Sequence, residues 1–329
     1  MKLEANSGID AKAGNPSSIA IWAGMIAVYI AWGSTYLAIS FGVESIQPFL
    51  MAGTRFLIAG SVLYLLRRIL YKDPSPARFE WRSAAIVGFF LLVGGNGLVS
   101  WAEQSVPSGI AALLVASAPL WMVLIDGLRP GGHRPGSWTI AGVVLGFLGI
   151  VVLVGPSQFI GLQSEVDPWG AAALTLAAFS WAVGSLYNRG AKLPASPLLG
   201  TGMEMLAGGA MLMLVGTVRG EWSQLDIGAI SARSLWGLAY LIVFGSWVGF
   251  AAYTWLLRVA PTSLVSTYAY VNPLVAIFIG NWLAGEELTA RILIASAIIV
   301  SSVAIITLTQ PVNSRNKAAQ PAVLSSGDD

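Results

Sequence analysis

Residues 101–119 read WAEQSVPSGIAALLVASAP, and residues 255–273 read WLLRVAPTSLVSTYAYVNP. In each stretch a tryptophan (Trp101, Trp255) is followed six residues later by a proline (Pro107, Pro261). A second proline (Pro119, Pro273) stands twelve further on. The offset between the two is 154 throughout. Further toward the N-terminus of each half the offset is 149, matching Trp32 to Trp181, Pro48 to Pro197, Gly53 to Gly202 and Gly60 to Gly209. The five-residue difference falls between the seventh and eighth apolar runs. Glycine matches come easily by chance; the repeated Trp-x5-Pro-x11-Pro spacing does not. Self-similarity on this scale marks a duplicated structural unit.

The composition says where such a unit lives. Of 329 residues, 56% are hydrophobic and only 10% charged. Soluble domains carry roughly 25% charged residues, and so few charges could not cover a water-facing surface. This excludes a cytosolic enzyme, a nucleic-acid binder and a disordered chain. The apolar residues come in runs of about 20 rather than in alternation, which excludes a transmembrane barrel. The absence of cysteine removes disulfides, thiolate metal sites and cysteine nucleophiles. The single histidine, His133, lies in a Pro/Gly-rich loop, so no histidine-based metal site or catalytic triad can form inside the membrane. No metal and no cofactor is expected. The absence of acidic paired motifs and of a phosphate-binding loop argues against an intramembrane enzyme and an ATP-driven pump.

A spanning helix needs about 20 mostly apolar residues, and ten such runs are predicted, at 20–41, 48–67, 83–104, 107–127, 137–155, 168–188, 197–218, 234–257, 261–284 and 290–310. Ten spans place both termini on one side. With that side cytoplasmic, 14 basic residues lie inside and 3 outside, and Arg55 falls within a span. This is the positive-inside pattern, and Trp22, Trp81, Trp169, Trp222, Trp236 and Trp282 lie near span ends as an aromatic belt requires. The expected fold is therefore an all-α polytopic membrane protein in a bacterial inner membrane. A cytoplasmic tail (1–19) precedes a first five-helix repeat (20–155), an extracytoplasmic linker (156–167), a second repeat (168–310) and a disordered cytoplasmic tail (311–329). Five is odd, so the second repeat enters the membrane inverted. Inverted repeats are the architecture of secondary transporters.

Several segments resemble the EamA family of the drug/metabolite transporter superfamily. They are Trp32-Gly-Ser-Thr-Tyr-Leu-Ala-Ile39, Arg55-Phe-Leu-Ile-Ala-Gly60, Gly95-Asn-Gly-Leu-Val-Ser-Trp-Ala-Glu-Gln104, Asn272-Pro273 and Gly285-Glu286-Glu-Leu-Thr289. The resemblance covers residues 20–310 and, within the family, points to the YddG/YedA type. It implies a ten-helix exporter of small metabolites: amino acids, aromatic or neutral, and related amphipathic drugs. A channel-like facilitator or exchanger of another small metabolite is the alternative. The first repeat departs from the family pattern, with Arg129-Pro-Gly-Gly-His-Arg134 where an acidic Gly-Glu turn is usual.

Candidate site residues follow from rare polar groups in apolar helices. Pro119 and Pro273 free the carbonyls of Val115 and Ala269, which must be buried or line a wet cavity. Each predicts a broken or kinked helix beside a midplane site. Tyr29, Trp32 and Tyr36 form one face of the first span, and Asn96 and Ser100 one face of the third, next to Trp101. Trp181, Ser246, Tyr253, Tyr270 and Asn272 complete a candidate substrate-binding set suited to an amphipathic small molecule. Each Ser can equally serve helix packing. Arg55 and Glu204 lie seven residues past the equivalent prolines Pro48 and Pro197, opposite in sign. Arg55 is expected to pair with Glu103 or Glu44, and Glu204 with Arg258 or Arg189. Together they would make charge networks that rearrange during transport, or static pairs. Glu204 is also the candidate for proton coupling. The glycines Gly142, Gly146 and Gly149 mark a homodimer face or a close packing within the bundle. The expected partners are a small-molecule substrate and the lipid bilayer.

Overall fold

The computed structural model describes residues 17–129, 135–154 and 167–309, with the side chains of Arg258, Thr262 and Ser263 outside that description. The tails, most of the 156–167 linker and the run at 130–134 with His133 lie outside the described residues. Nine helices among the described residues are long and apolar enough to cross a membrane. They are α1 (Ser18–Val43), α2 (Pro48–Leu70), α3 (Arg78–Ala102), α4 (Ser108–Leu128), α5 (Ser137–Val154), α6 (Pro168–Asn188), α7 (Pro197–Val218), α8 (Ala232–Leu257) and α10 (Ala290–Thr309). The tenth apolar run is divided. A single turn at Thr262–Val265 precedes the shorter helix α9 (Tyr268–Ala284). The described residues contain no strand.

Local sequence explains the helix starts. Prolines open α2, α6 and α7, where the missing N–H would have no partner in any case. The Asp167 carboxylate accepts from Trp169 N and Gly170 N, both at 3.1 Å, at the start of α6. The Ser105 hydroxyl donates to it at 2.7 Å, and this bond above all holds the Asp167 carboxyl below its ordinary range. Large side chains such as Leu148, Val151, Leu293, Ile294 and Phe278 are exposed on the outside of the bundle. No water-soluble protein could display them so freely.

Helices that are equivalent in the duplicated sequence pack against each other. In α2 and α7 the four repeated glycines meet face to face. A Cβ on Gly60 would lie 2.9 Å from the Gly202 carbonyl oxygen, and one on Gly209 would lie 3.2 Å from that of Gly53. Residue numbers rise along one helix as they fall along the other, so α2 and α7 run antiparallel. The same holds for α5 and α10, where Gly142, Gly146 and Gly149 meet Ile306, Ser302 and Ile299 in that order. The Ser302 hydroxyl donates to the Gly142 carbonyl at 2.7 Å. These three glycines are thus packed within the chain, against α10 and, at Gly146, also against Leu120 of α4, which is the close packing within the bundle, one of the two readings of their spacing. Close backbone approach through small residues is the usual packing device in lipid.

Several helices are irregular. α1 is interrupted at Ser34, whose hydroxyl donates to the Ile30 carbonyl at 2.5 Å. α3 and α8 each contain a π-helical segment, at Phe89–Gly97 and Leu241–Val248. Such segments concentrate at functional sites. α4 breaks at Ala116–Ser117, immediately before Pro119, as the proline requires. Pro273 behaves differently. It lies inside α9, and the chain interruption falls earlier, at Ser266–Thr267. The two repeat-equivalent prolines therefore do not make equivalent breaks.

Candidate substrate site

The π-helical turn of α8 presents Gly245 and Gly249 toward α1. A Cβ on Gly249 would lie 2.3 Å from Trp32 Nε1, so only glycine admits the indole there. Trp32 Nε1 donates to the Gly245 carbonyl at 3.2 Å. Around the indole stand Phe250, Tyr253 and Tyr268, with ring centroids 5.4, 5.0 and 5.2 Å away. Tyr253 and Tyr268 also meet each other edge to face at 5.7 Å. One turn earlier in α1, the hydroxyls of Tyr29 and Thr267 share a hydrogen bond. The result is an aromatic cluster where α1, α8 and α9 converge.

Arg55 reaches the same π-helical turn from α2. It is 5% exposed, and its Nε donates to Ser246 Oγ at 3.1 Å. Ser246 in turn donates to the Leu241 carbonyl, five residues back along the π-helical segment, at 3.1 Å. The guanidinium carbon lies 4.7 Å from the centroid of the Phe56 ring. Expectation and structure part here. Glu44 is engaged by Arg233 at 3.0 Å, and among the described residues no carboxylate lies within 4 Å of Arg55. Glu103, 6% exposed, has neither oxygen in a hydrogen bond and no cation within 4 Å among the described residues. Glu204 likewise has no ion pair among the described residues, its expected partner Arg189 included, and the side chain of the other expected partner, Arg258, lies outside them.

A related arrangement occurs in the other half. Trp181 of α6 lies against Gly95 of the α3 π-helical turn, where a Cβ would sit 2.9 Å from its ring. The neighbouring Ser180 hydroxyl donates to the Phe90 carbonyl at 2.7 Å, and Asn96 Nδ2 donates to that of Leu91 at 3.3 Å. Asn96 thus satisfies its own helix. Ser100 is buried, and Trp101 packs between the two largest apolar clusters. Tyr36 and Tyr270 pack against the larger cluster. Asn272 is buried with Oδ1 unbonded. The structure therefore gathers Tyr29, Trp32, Arg55, Ser246 and Tyr253 in one neighbourhood, and sets Trp181 and Asn96 in the other.

Two participants and the role of a third residue escaped the sequence reading. Tyr268 and Phe250 lacked a polar partner at helical spacing, because the Ser266–Thr267 break and the π turn reset the phase. The Gly245-x3-Gly249 spacing was the available signal for the notch. The third is Glu286, whose carboxylate accepts from Ser108 N at 2.7 Å and Gly109 N at 3.0 Å, holding the start of α4. Gly285, with φ of 67°, makes the turn that delivers it. Glu221 holds the start of α2 in the same way, accepting from Phe49 N at 3.1 Å and Leu50 N at 3.0 Å. Burial pushes its carboxyl above the ordinary range, against the pull of those two amides.

A ten-run helical bundle with irregular helices meeting at buried aromatic and charged groups is a transporter's anatomy, and comparison with known proteins agrees. The model of the EamA-like transporter family matches residues 18–155 and again 168–308. The chain belongs to the EamA-like transporter family. It is 38% identical over 290 residues to the inner membrane transporter YedA of Escherichia coli K12, covering 88% of this chain and 90% of that protein. It is 22% identical to the transporter YoaV of Bacillus subtilis, over 88% of this chain and 98% of the other. A crystal structure at 22% identity matches the fold with a TM-score of 0.58, covering 89% of this chain and 98% of the other. This EamA-like chain is accordingly a multi-pass inner-membrane transporter.

Proposed function

We propose that the protein is a secondary transporter that exports amino acids, aromatic or neutral, by alternating access between two inverted repeats. The observation that carries this reading is the doubled notch: Trp32 on the glycines of α8, and Trp181 on a glycine of α3. Antiparallel packing of α2 with α7 and of α5 with α10 supports the inversion. The excess of basic residues at the end where α1 begins supports cytoplasmic termini. At that end a cleft of about 480 Å³ is lined by Arg67, Asp73, Ser196, Thr254 and Trp255, among others, the last two following Tyr253 of the aromatic cluster in sequence. It serves as the cytoplasmic vestibule. Substrate enters there, displaces the Trp32 contacts and leaves when the other half opens.

Counterflow in proteoliposomes tests this. Vesicles loaded in turn with phenylalanine, tryptophan, leucine and an organic cation are expected to drive saturable uptake of the labelled amino acid. Flux that rises without saturation and shows no counterflow would identify a channel-like facilitator instead. No flux of any amino acid would defeat the substrate assignment.

A further inference from the structure

We infer that Arg55 is the anchor for a carboxylate, and that the aromatic cluster around Trp32 receives the rest of the same molecule. This rests on the amino-acid reading and narrows it to substrates recognised through their acid group, with aromatic acids foremost. An unpaired cation inside a membrane protein is costly and marks function. Arg55 is such a cation: 5% exposed, with no carboxylate within 4 Å among the described residues. Its Nε is spent on Ser246, whose hydroxyl in turn donates a hydrogen bond to the Leu241 carbonyl. The Nη pair keeps the planar fork that matches a carboxylate with two parallel hydrogen bonds.

Gly245 fixes the relation between charge and rings. A Cβ there would lie 2.9 Å from Arg55 Nη2, while the Gly245 carbonyl accepts from Trp32 Nε1. The guanidinium and the indole therefore flank one residue, a separation that an acid with an aryl side chain can bridge. A single guanidinium neutralises one negative charge, which suits a carboxylate better than a phosphate dianion. Amphipathic amines would find rings here but face an uncompensated positive charge.

The test uses the purified full-length protein and four probes of one shape: phenylalanine, 3-phenylpropionate, methyl 3-phenylpropionate and phenethylamine. Equilibrium binding is expected to favour the two acids over the ester and the amine by about tenfold to a hundredfold, the worth of a charge-assisted bond. R55Q is expected to erase that preference while S246A weakens it. Labelling of Arg55 by phenylglyoxal, read by mass spectrometry, repeats the test without a variant: 3-phenylpropionate slows it and the methyl ester does not. If 3-phenylpropionate binds through Arg55 and phenylalanine does not, the carboxylate site stands and the amino-acid reading falls. If the ester or amine binds as well as the acids, if R55Q keeps the preference, or if neither acid protects Arg55, the inference is overturned.

Discussion

The half of the bundle around Trp32 and the half around Trp181 share a plan and differ in what fills it. In each, a tryptophan from the first helix of one repeat lies on a glycine in the π-helical third helix of the other. Around Trp32 three further rings close in. Around Trp181 no ring contact occurs among the described residues, and the hydrogen bond to the π turn comes from the next residue, Ser180. The second helix contributes Arg55 on one side and Glu204 on the other. Duplication has kept the backbone notch, which is a matter of shape, and let the side chains around it diverge. The two halves thus share a backbone plan while the groups that fill it stay lopsided.

Filling the notches is the strongest way to break the comparison. Gly249→Ala places a methyl 2.3 Å from Trp32 Nε1 and 2.7 Å from Cδ1. The indole is held by three rings and cannot tilt away without breaking its bond to Gly245. Overpacking of this kind destabilises by about 1–3 kcal/mol, and we expect the upper end, read as a lowered melting temperature together with lost counterflow. Gly95→Ala brings a methyl only to the edge of Trp181, at 2.9 Å from Cε3. With no ring behind it, that indole can shift, and the loss should fall at or below about 1 kcal/mol. Equal effects would show that the two notches are equally rigid.

Much of this plan is legible in the amino-acid sequence. The Trp-x5-Pro-x11-Pro repeat and the matched Gly53/Gly202 and Gly60/Gly209 pairs announce the duplication, and those glycines face one another across α2 and α7. Charge scarcity makes Arg55 conspicuous. Its partner is not legible, because depth along a helix says nothing of rotation about it. Glu44 and Glu103 stand at the right height, whereas Ser246 meets Arg55 through a π-helical turn that 3.6-residue spacing cannot foresee. Pro273 misleads for a related reason: a proline removes a hydrogen bond, but neighbouring helices decide whether the chain breaks there.

A finer cut removes only the indole N–H. Trp32→Phe loses the 3.2 Å bond to the Gly245 carbonyl while keeping an aromatic ring among Phe250, Tyr253 and Tyr268. Interhelical hydrogen bonds in membranes are worth about 0.6–2 kcal/mol, so a melting shift in that range is expected. Trp181 makes no hydrogen bond through its indole among the described residues. Trp181→Phe should therefore leave stability within about 0.5 kcal/mol of the parent. A larger shift for Trp181 than for Trp32 would reverse the assignment of the tighter half.

The smallest effect compares two carboxylates placed just beyond the repeat-equivalent helices α2 and α7. Asp73 follows α2, accepting from Arg67 Nε at 2.7 Å and Nη2 at 2.8 Å, and these bonds above all hold its carboxyl below the ordinary range. Its stabilisation is present at neutral pH and is lost as pH falls through that depressed value. Glu221 follows α7, and burial holds its carboxyl above the ordinary range. Its folded form takes up a proton first, so its contribution is fullest in acid and fades as pH rises through the raised value. Melting temperatures of the parent, Asp73→Asn and Glu221→Gln, followed from neutral pH into acid, should therefore move in opposite senses. The gap between parent and Asp73→Asn closes on acidification, while the parent gains on Glu221→Gln. Parallel curves would mean that the two ends of the α2–α7 pair are clamped by the same electrostatics, and that the asymmetry between the halves does not extend beyond the aromatic and charged groups around the two notches.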